Sequence, residues 1–444
     1  MKKMKTIYLA IVSVLLITAC DNDLDQTPPL LLESSALEEF GPVLNAAYYY
    51  QSGGSTPLGV MGDFRADNML MLESPYTAFD TYNADLGGLD LVEQFFRPFY
   101  SNLYKAILST NNVIDNSTDA TEIAEAKFLR ALSYFKLVMV FGDVTVNLSP
   151  APSPSDLSIL TRQPAADVYN NVIIPDFQDA IAGLDNSGLT SGRASKIAAQ
   201  AFLGKVYLYR GNFTEAATTL GAVVNSAAAA GITLESNFAN VVVDGNSEII
   251  FATPLSTSVP NAYGSATTFV GWFSGADTKS LTPLDPRLID AFDASSAAGG
   301  GTDLRKALTI DTENMNGSNK YTGALDQDYI DLRLSDVILM YAEALNENNV
   351  AATTVLPLLD PIRTRAGLNS LTGTVSSQAD VRQAIADERR VELALEGHRW
   401  FDLVRTGTVN IEMGETISSD YNVFPIPNSE ILASDGVITQ NEGY

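Results

Sequence analysis

One cysteine, one histidine and two tryptophans are all that 444 residues supply of three residue types on which much protein chemistry depends. A lone cysteine, Cys20, excludes an internal disulfide framework. A lone histidine, His398, excludes HExxH zinc sites, multi-histidine metal centres and histidine triads that lack another base. Basic residues are scarce as well, 27 against 53 acidic, for a formal net charge of −26. That balance argues against nucleic acid as a partner, because phosphate binding needs clustered Lys and Arg to displace counterions. A uniformly anionic body also disfavours highly sulfated polymers. Beyond the first 20 residues no segment reaches the roughly 18 uninterrupted apolar residues of a membrane-spanning helix. No phosphate-cradling loop is complete, since Gly299-Gly300-Gly301 runs into Thr302-Asp303 without a following lysine, and aspartates such as Asp326 and Asp328 do not complete an EF-hand. No metal and no cofactor is expected.

What is present begins at the N-terminus. Residues 1–19 place three lysines ahead of an apolar run, residues 7–19, too short to span a bilayer comfortably, and read as a secretory signal peptide. Leu16-Ile17-Thr18-Ala19-Cys20 resembles a bacterial lipobox, whose cysteine is acylated after cleavage, so Cys20 is the expected lipid attachment point. The alternative is a secreted protein with a free thiol. Each buried methylene of an acyl chain contributes about 0.8 kcal/mol, and more than one chain gives stable anchoring. Residues 20–34, opening with Asp21, Asp23 and Asp25, read as a lipidated tether ahead of one large domain, residues 35–444. Loss of the leader lysines makes the mature charge about −29.

Helical periodicity dominates to about residue 230. Residues 95–115 space Phe96, Tyr100, Tyr104, Ile107, Asn111 and Ile114 along one face, and residues 121–141 do the same with Ala126, Leu129, Tyr134 and Val138. A helical region from Arg193 contains Leu203-Gly204-x-x-Tyr207, then Gly211, Ala216 and Leu220. That spacing resembles a tetratricopeptide repeat, in which a glycine lets two helices approach and the tyrosine fills the gap. Looser echoes fall at Ala131/Tyr134 and Ile338/Tyr341. Residues 232–328 differ: residues 240–244 and 248–253 read as short strands, the rest is rich in Gly, Ser, Thr, Asn and Pro, and few helices fit. Residues 299–301 and 314–319 read as mobile loops. Helix returns at residues 331–346, 355–366 and 380–404. The expected fold is mainly α: a tetratricopeptide-like helical-repeat scaffold, mainly residues 95–230 and 329–405, with a loop-rich, ligand-facing subdomain containing short strands at about 232–328.

Residues 387–407, DERRVELALEGHRWFDLVRTG, read as about five turns of helix with Glu388, Glu392, Glu396 and Arg399 beside an apolar face that includes Trp400. Glu392 and Glu396 have the spacing of a glycosidase acid pair. Arg389 and Arg399 each lie three residues from one of them, so helix pairing or buried salt bridges account for both, and no catalytic residue is expected.

The block strongly resembles the C-terminal motif of the SusD/RagB family, the surface nutrient-binding lipoproteins of bacterial outer membranes. The likeness continues through Tyr104-x-x-Ile107-x-x-x-Asn111, residues 126–134, Phe141-Gly142-Asp143-Val144, residues 247–251, residues 332–337, Tyr341-Ala342-Glu343-Ala344, residues 362–368, Phe424-Pro425-Ile426-Pro427 and residues 440–444, in the family's order. Tyr100 stands where the family often has Trp, and the chain is on the short side. The resemblance implies a non-enzymatic capture subunit, lipid-anchored at the cell surface, that binds an oligosaccharide or polysaccharide and passes it to a SusC-like TonB-dependent transporter. Peptide capture and a repeat scaffold that binds no ligand are the alternatives.

Sugar rings stack C–H faces on aromatic rings while their hydroxyls seek Asp, Asn or Arg. Two segments offer that mixture: residues 62–68 leading into Tyr76 and Tyr82, and residues 263–273. The ligand-binding candidates are Asp67, Tyr76, Tyr82, Tyr263, Trp272 and Phe273. Trp272 has a second reading as a loop anchor packed into the core, as have Tyr76 and Tyr82.

Overall fold

In the computed structural model, helix α1 (Gly41–Phe64) is the axis on which the other elements pack, and its residue sizes explain why. Every residue from Gln51 to Phe64 is buried, so neighbours surround that half of the helix. Four glycines permit the approach: a Cβ at Gly53 would overlap the Asn102 side chain, and one at Gly62 would overlap the Gly397 carbonyl. The structure describes residues 37–153, 156–256, 262–263, 269–273, 283–311, 318–321 and 326–444. The expected signal peptide, Cys20 and the expected tether lie outside them. Residues 37–40 belong to a separate N-terminal unit, Met1–Phe40, and Gly41–Tyr444 forms one unit.

Against α1 lie α2 (Arg97–Asn116) and α3 (Ala120–Phe141). Asp119 caps α3 by accepting hydrogen bonds from the amides of Thr121 and Glu122, and Gly142, at φ 72°, terminates it. The helices α4 (Ile174–Gly183), α5 (Lys196–Tyr209) and α6 (Phe213–Ser226) continue the succession. At Gly204 a Cβ would sit 2.5 Å from Leu220, so the glycine is what lets α5 and α6 close together, as the repeat-like spacing implies. Tyr341, on α8 (Leu334–Glu347), lies over Gly221 of α6 and extends the stack to a third helix.

Several expectations need correction. Residue 240 ends a short 3-10 helix (Phe238–Asn240) and residues 241–244 are turns and a bend, while the strand β1 (Ile249–Thr253) pairs antiparallel with β2 (Tyr329–Arg333), which takes the start of the expected helix 331–346. The rings of Phe128 and Phe202 pack on Phe251 at 5.0 and 6.0 Å, and this burial fixes β1 in place. A 14-residue helix, α7 (Pro286–Gly299), occupies the region in which few helices were expected; Asp285 caps it, Pro286 opens it, and Leu288, Phe292 and Ser295 face inward. Buried Gly299 ends the helix and exposed Gly300, at φ 61°, caps it, with the Asn369 amide donating to the Gly299 carbonyl at 3.0 Å. Residues 314–317 lie outside the described residues. The expected helix 355–366 is divided into Ala352–Val355, Leu356–Leu358 and Asp360–Arg365. The final helix is two: α9 (Gln378–Glu392) and α10 (Arg399–Thr406). Among the described residues no helix is long and apolar enough to cross a membrane.

The Gly62–Gly397 contact gives a direct test. Gly62→Ala is expected to cost about 3 kcal/mol, the upper end of overpacking, because the obstructing atom is backbone. Gly87→Ala, whose Cβ would have only ordinary contacts at 3.9 Å, is expected to stay within about 0.5 kcal/mol in the same denaturant titration.

Candidate functional site

The chain between α9 and α10 leaves the helix because two residues take left-handed backbone conformations, Leu395 at φ 63° and Gly397 at φ 82°. The Gly397 amide donates to Asp63 Oδ2 at 2.6 Å, tying this turn to the buried end of α1. The interruption redirects the charges. Glu392 and Glu396 are not paired with Arg389 and Arg399 along one helix; both meet Arg333 of β2, at 2.7 Å each. Glu392 also meets Arg305, at 2.9 Å, and Arg365, while Lys320 meets Glu396 at 2.5 Å. Arg305 holds Asp303 and Glu388, Arg363 holds Glu388, and Glu248 joins Arg333 to Arg365. Five cations and five carboxylates thus form one connected, buried network.

Two smaller networks adjoin it. Lys205, Arg389 and Arg405 hold Asp336, Asp402 and Glu343, and Arg390 and Arg399 hold Asp67 and Glu412. Burial alone would raise the carboxyls, yet Arg333 and Lys320 outweigh it to hold Glu396 at about 2, and Arg389 with Arg405 hold Asp402 at about 2. Glu392 is likewise depressed, by Arg365, Arg333 and Arg305. The possible acid pair is therefore locked in its ionised form, which supplies no proton to a leaving group.

The six sequence candidates separate into two groups. Asp67 is buried and gripped by Arg390 and Arg399, each at 2.7 Å. The Tyr82 hydroxyl donates to the Arg65 carbonyl at 2.9 Å, and its ring stacks on Trp400 at 5.7 Å. These two residues are part of the core, contrary to the expectation that they face a ligand. Of the other four, Tyr263 lies near Tyr76, and three gather around Phe64 at the end of α1. Tyr76, Trp272 and Phe273 lie 6.5, 5.8 and 6.0 Å from it, and Tyr76 meets Trp272 edge-on at 5.6 Å.

Within that cluster Tyr263, Trp272 and Phe273 are buried, Trp272 to 2% exposure, and the structure corrects their expected role as an open stacking surface. The short helix Phe269–Phe273 turns Trp272 inward, where it also packs on Phe95 at 5.5 Å. Tyr76 is half-buried, and its hydroxyl lies 3.5 Å from Gln94 Oε1. Two polar atoms of the cluster, the Tyr263 hydroxyl and Trp272 Nε1, are buried without a hydrogen-bond partner. Burial, reinforced by the nearby Tyr76, raises the Tyr263 phenol above its usual value. Phe64, Phe95 and Gln94 were missed as members of this group; helical spacing marks Phe95 as inward-facing, and only the tertiary contacts connect it to Trp272.

The mainly helical fold that carries these networks and this aromatic cluster is shared with known carbohydrate-binding proteins. Residues 39–208 match a family model described as starch-binding associating with outer membrane, and residues 296–444 match the SusD family model. The chain belongs to the SusD/RagB family. SusD-like protein P2 of Formosa agariphila is 26% identical over 409 aligned positions, covering 78% of this chain and 80% of that protein. Among solved structures, a laminarin-binding SusD-like protein shares 26% identity, covers 91% of this chain and 99% of its own, and superposes with a TM-score of 0.70. A SusD superfamily protein from Bacteroides vulgatus reaches a TM-score of 0.73 at 20% identity, over 93% of this chain and 99% of its own, a likeness of fold.

His398 is buried beside the second network, and burial together with Lys205 lowers its imidazole from 6.5 to about 4. A folded-state value below the unfolded one gives stability that is fully present above pH 6.5 and lost as pH falls toward 4, on the order of 3 kcal/mol. Asp63 and Asp80 act with the opposite sign: burial raises them to about 6 and 7, so their contribution is present below about pH 4 and is lost as pH rises through those values. The two effects are separable because the chain has a single histidine. The histidine NMR signal is expected to keep its neutral position until pH approaches 4; a midpoint near 6.5 would contradict this environment.

Proposed function

We propose that this protein captures a neutral glycan at the cell surface by noncovalent binding and delivers it to a SusC-like TonB-dependent transporter. Acylated Cys20 would tether it to the outer membrane. The observation that carries this reading is the laminarin-binding relative, 26% identical across 91% of the chain. The family model's description, starch-binding and outer-membrane-associating, supports both the ligand class and the location. The locked state of Glu392 and Glu396 supports binding without hydrolysis.

Within this reading Tyr76 is the residue that meets the sugar. It alone among the candidate aromatic rings is half-exposed, and it stands edge-on to Trp272 with Gln94 beside its hydroxyl. An edge-on neighbour fixes the ring plane, so a sugar face meets a surface already held in position. Trp272, Tyr263 and Phe273 serve as its support. Asp67 and Tyr82 serve the fold.

Calorimetry with the purified full chain and a panel of neutral glycans including laminarin tests this. Tyr76→Ala is expected to weaken binding about tenfold, or ~1.4 kcal/mol, with no release of reducing sugar by either protein. Unchanged affinity in the variant would remove Tyr76 from the site. Indifference to every glycan with tight binding of a peptide mixture would overturn the ligand class.

A further inference from the structure

A cleft of about 260 Å³ opens where the α5–α6 turn meets α9 and α10, and its lining shares no residue with the Tyr76 cluster. Leu208, Phe213, Ile385 and Leu393 give it apolar surface. At about 30 Å³ per water it has room for roughly eight or nine waters, less than a drug-sized pocket and suited to one or two sugar rings.

The charges of the walls select the ligand class. Five arginines and five carboxylates line the cleft, so there is no net charge to favour an ion. Four of the carboxylates are bound to arginines: Glu343, Glu347, Asp402 and Glu412. The fifth, Asp387, is exposed on α9 and accepts a hydrogen bond from Gln383 at 2.8 Å, and among the described residues no arginine or lysine is bonded to it. Burial and Glu412 raise its carboxyl above the usual range, so it gains from a further donor. In the wall behind, Asn68 Oδ1 is an acceptor and Arg390 Nε a donor, each buried with no partner. An exposed acceptor, Asp387, beside an apolar surface, with buried polar groups behind it, matches a hydroxyl that donates next to a C–H face, which is the chemistry of a sugar ring.

We propose that this cleft is a second saccharide site, taking one or two neutral sugar rings with a C–H face on Phe213 and a hydroxyl donating to Asp387. The site is independent of Tyr76 and stands if the reading of Tyr76 fails.

The protein supplies its own reporter, because its only histidine, His398, lines the cleft. The full chain, isotopically labelled at histidine, is titrated with glucose and laminaribiose, and separately with lysine methyl ester as a cationic control. A saturable shift of the His398 signal with a neutral sugar is expected in the millimolar range. It should weaken at least fivefold in Asp387→Asn, disappear in Gln383→Trp, which fills the cleft, and persist in Tyr76→Ala. Asp387 and Gln383 are exposed on α9, so these substitutions leave the core packing intact. No saturable shift with either sugar up to about 50 mM, beyond ordinary weak binding, overturns the proposal. So does a shift with the cation alone, or one abolished by Tyr76→Ala.

Discussion

Arg333 is 1% exposed and bonds to three carboxylates at once, those of Glu248, Glu392 and Glu396. An arginine so placed cannot be left unpaired, since taking one ion out of water costs several kcal/mol even after relaxation. Its partners come from two distant parts of the chain, Glu248 just ahead of β1, and Glu392 and Glu396 at the end of α9 and in the turn that follows. Arg305, Arg363, Arg365 and Lys320 complete the set of five cations against five anions. The network therefore fixes relative position more than it adds stability: equal charge is satisfied only when β2, α9 and the segment around Arg305 are in register. The chain's large negative excess lies outside this balanced interior.

The position thus fixed reaches the aromatic cluster around Phe64 through short steps. Glu396 adjoins Gly397, whose amide bonds to Asp63, and Asp63 precedes Phe64, the ring around which Tyr76, Trp272 and Phe273 gather. Lys320 and Tyr321 continue the same connection from the other side: Lys320 bonds to Glu396, while Tyr321 donates to the Leu395 carbonyl and packs on Phe269 at 5.2 Å. The role proposed for Tyr76 needs such support, because mobility of the ring would subtract from binding. The third network serves a separate place, with Arg390 and Arg399 joining the end of α1 to the wall of the cleft.

Much of this was legible in the sequence. The helical periodicity before residue 230, the close approach at Gly204 and a strand within residues 248–253 follow from local spacing, and the C-terminal motif from its likeness to the family. The split of α9 from α10 was hidden because Leu395 continues a good helical pattern, and only the contact between Gly397 and α1 imposes the turn. β2 was concealed by the helix that begins immediately after it. α7 carried visible signals, Asp285 then Pro286 ahead of inward-facing Leu288 and Phe292, which the polar composition around them obscured. For the candidate site, composition singled out Tyr76, Trp272 and Phe273, which the fold gathers, but not their exposure: Trp272 looks like a free loop ring, and burial against Phe64 and Phe95 is a tertiary fact.

The central claim is that the fold depends on the five-by-five buried network, and Glu392, which touches three arginines, is its most connected carboxylate. Denaturant unfolding of Glu392→Gln beside Glu347→Gln measures this most directly, since Glu347 pairs with the half-exposed Arg382 at the surface. A loss of about 3–5 kcal/mol for the first and under about 1 kcal/mol for the second is the expected result. Equal, small losses for both would contradict the account.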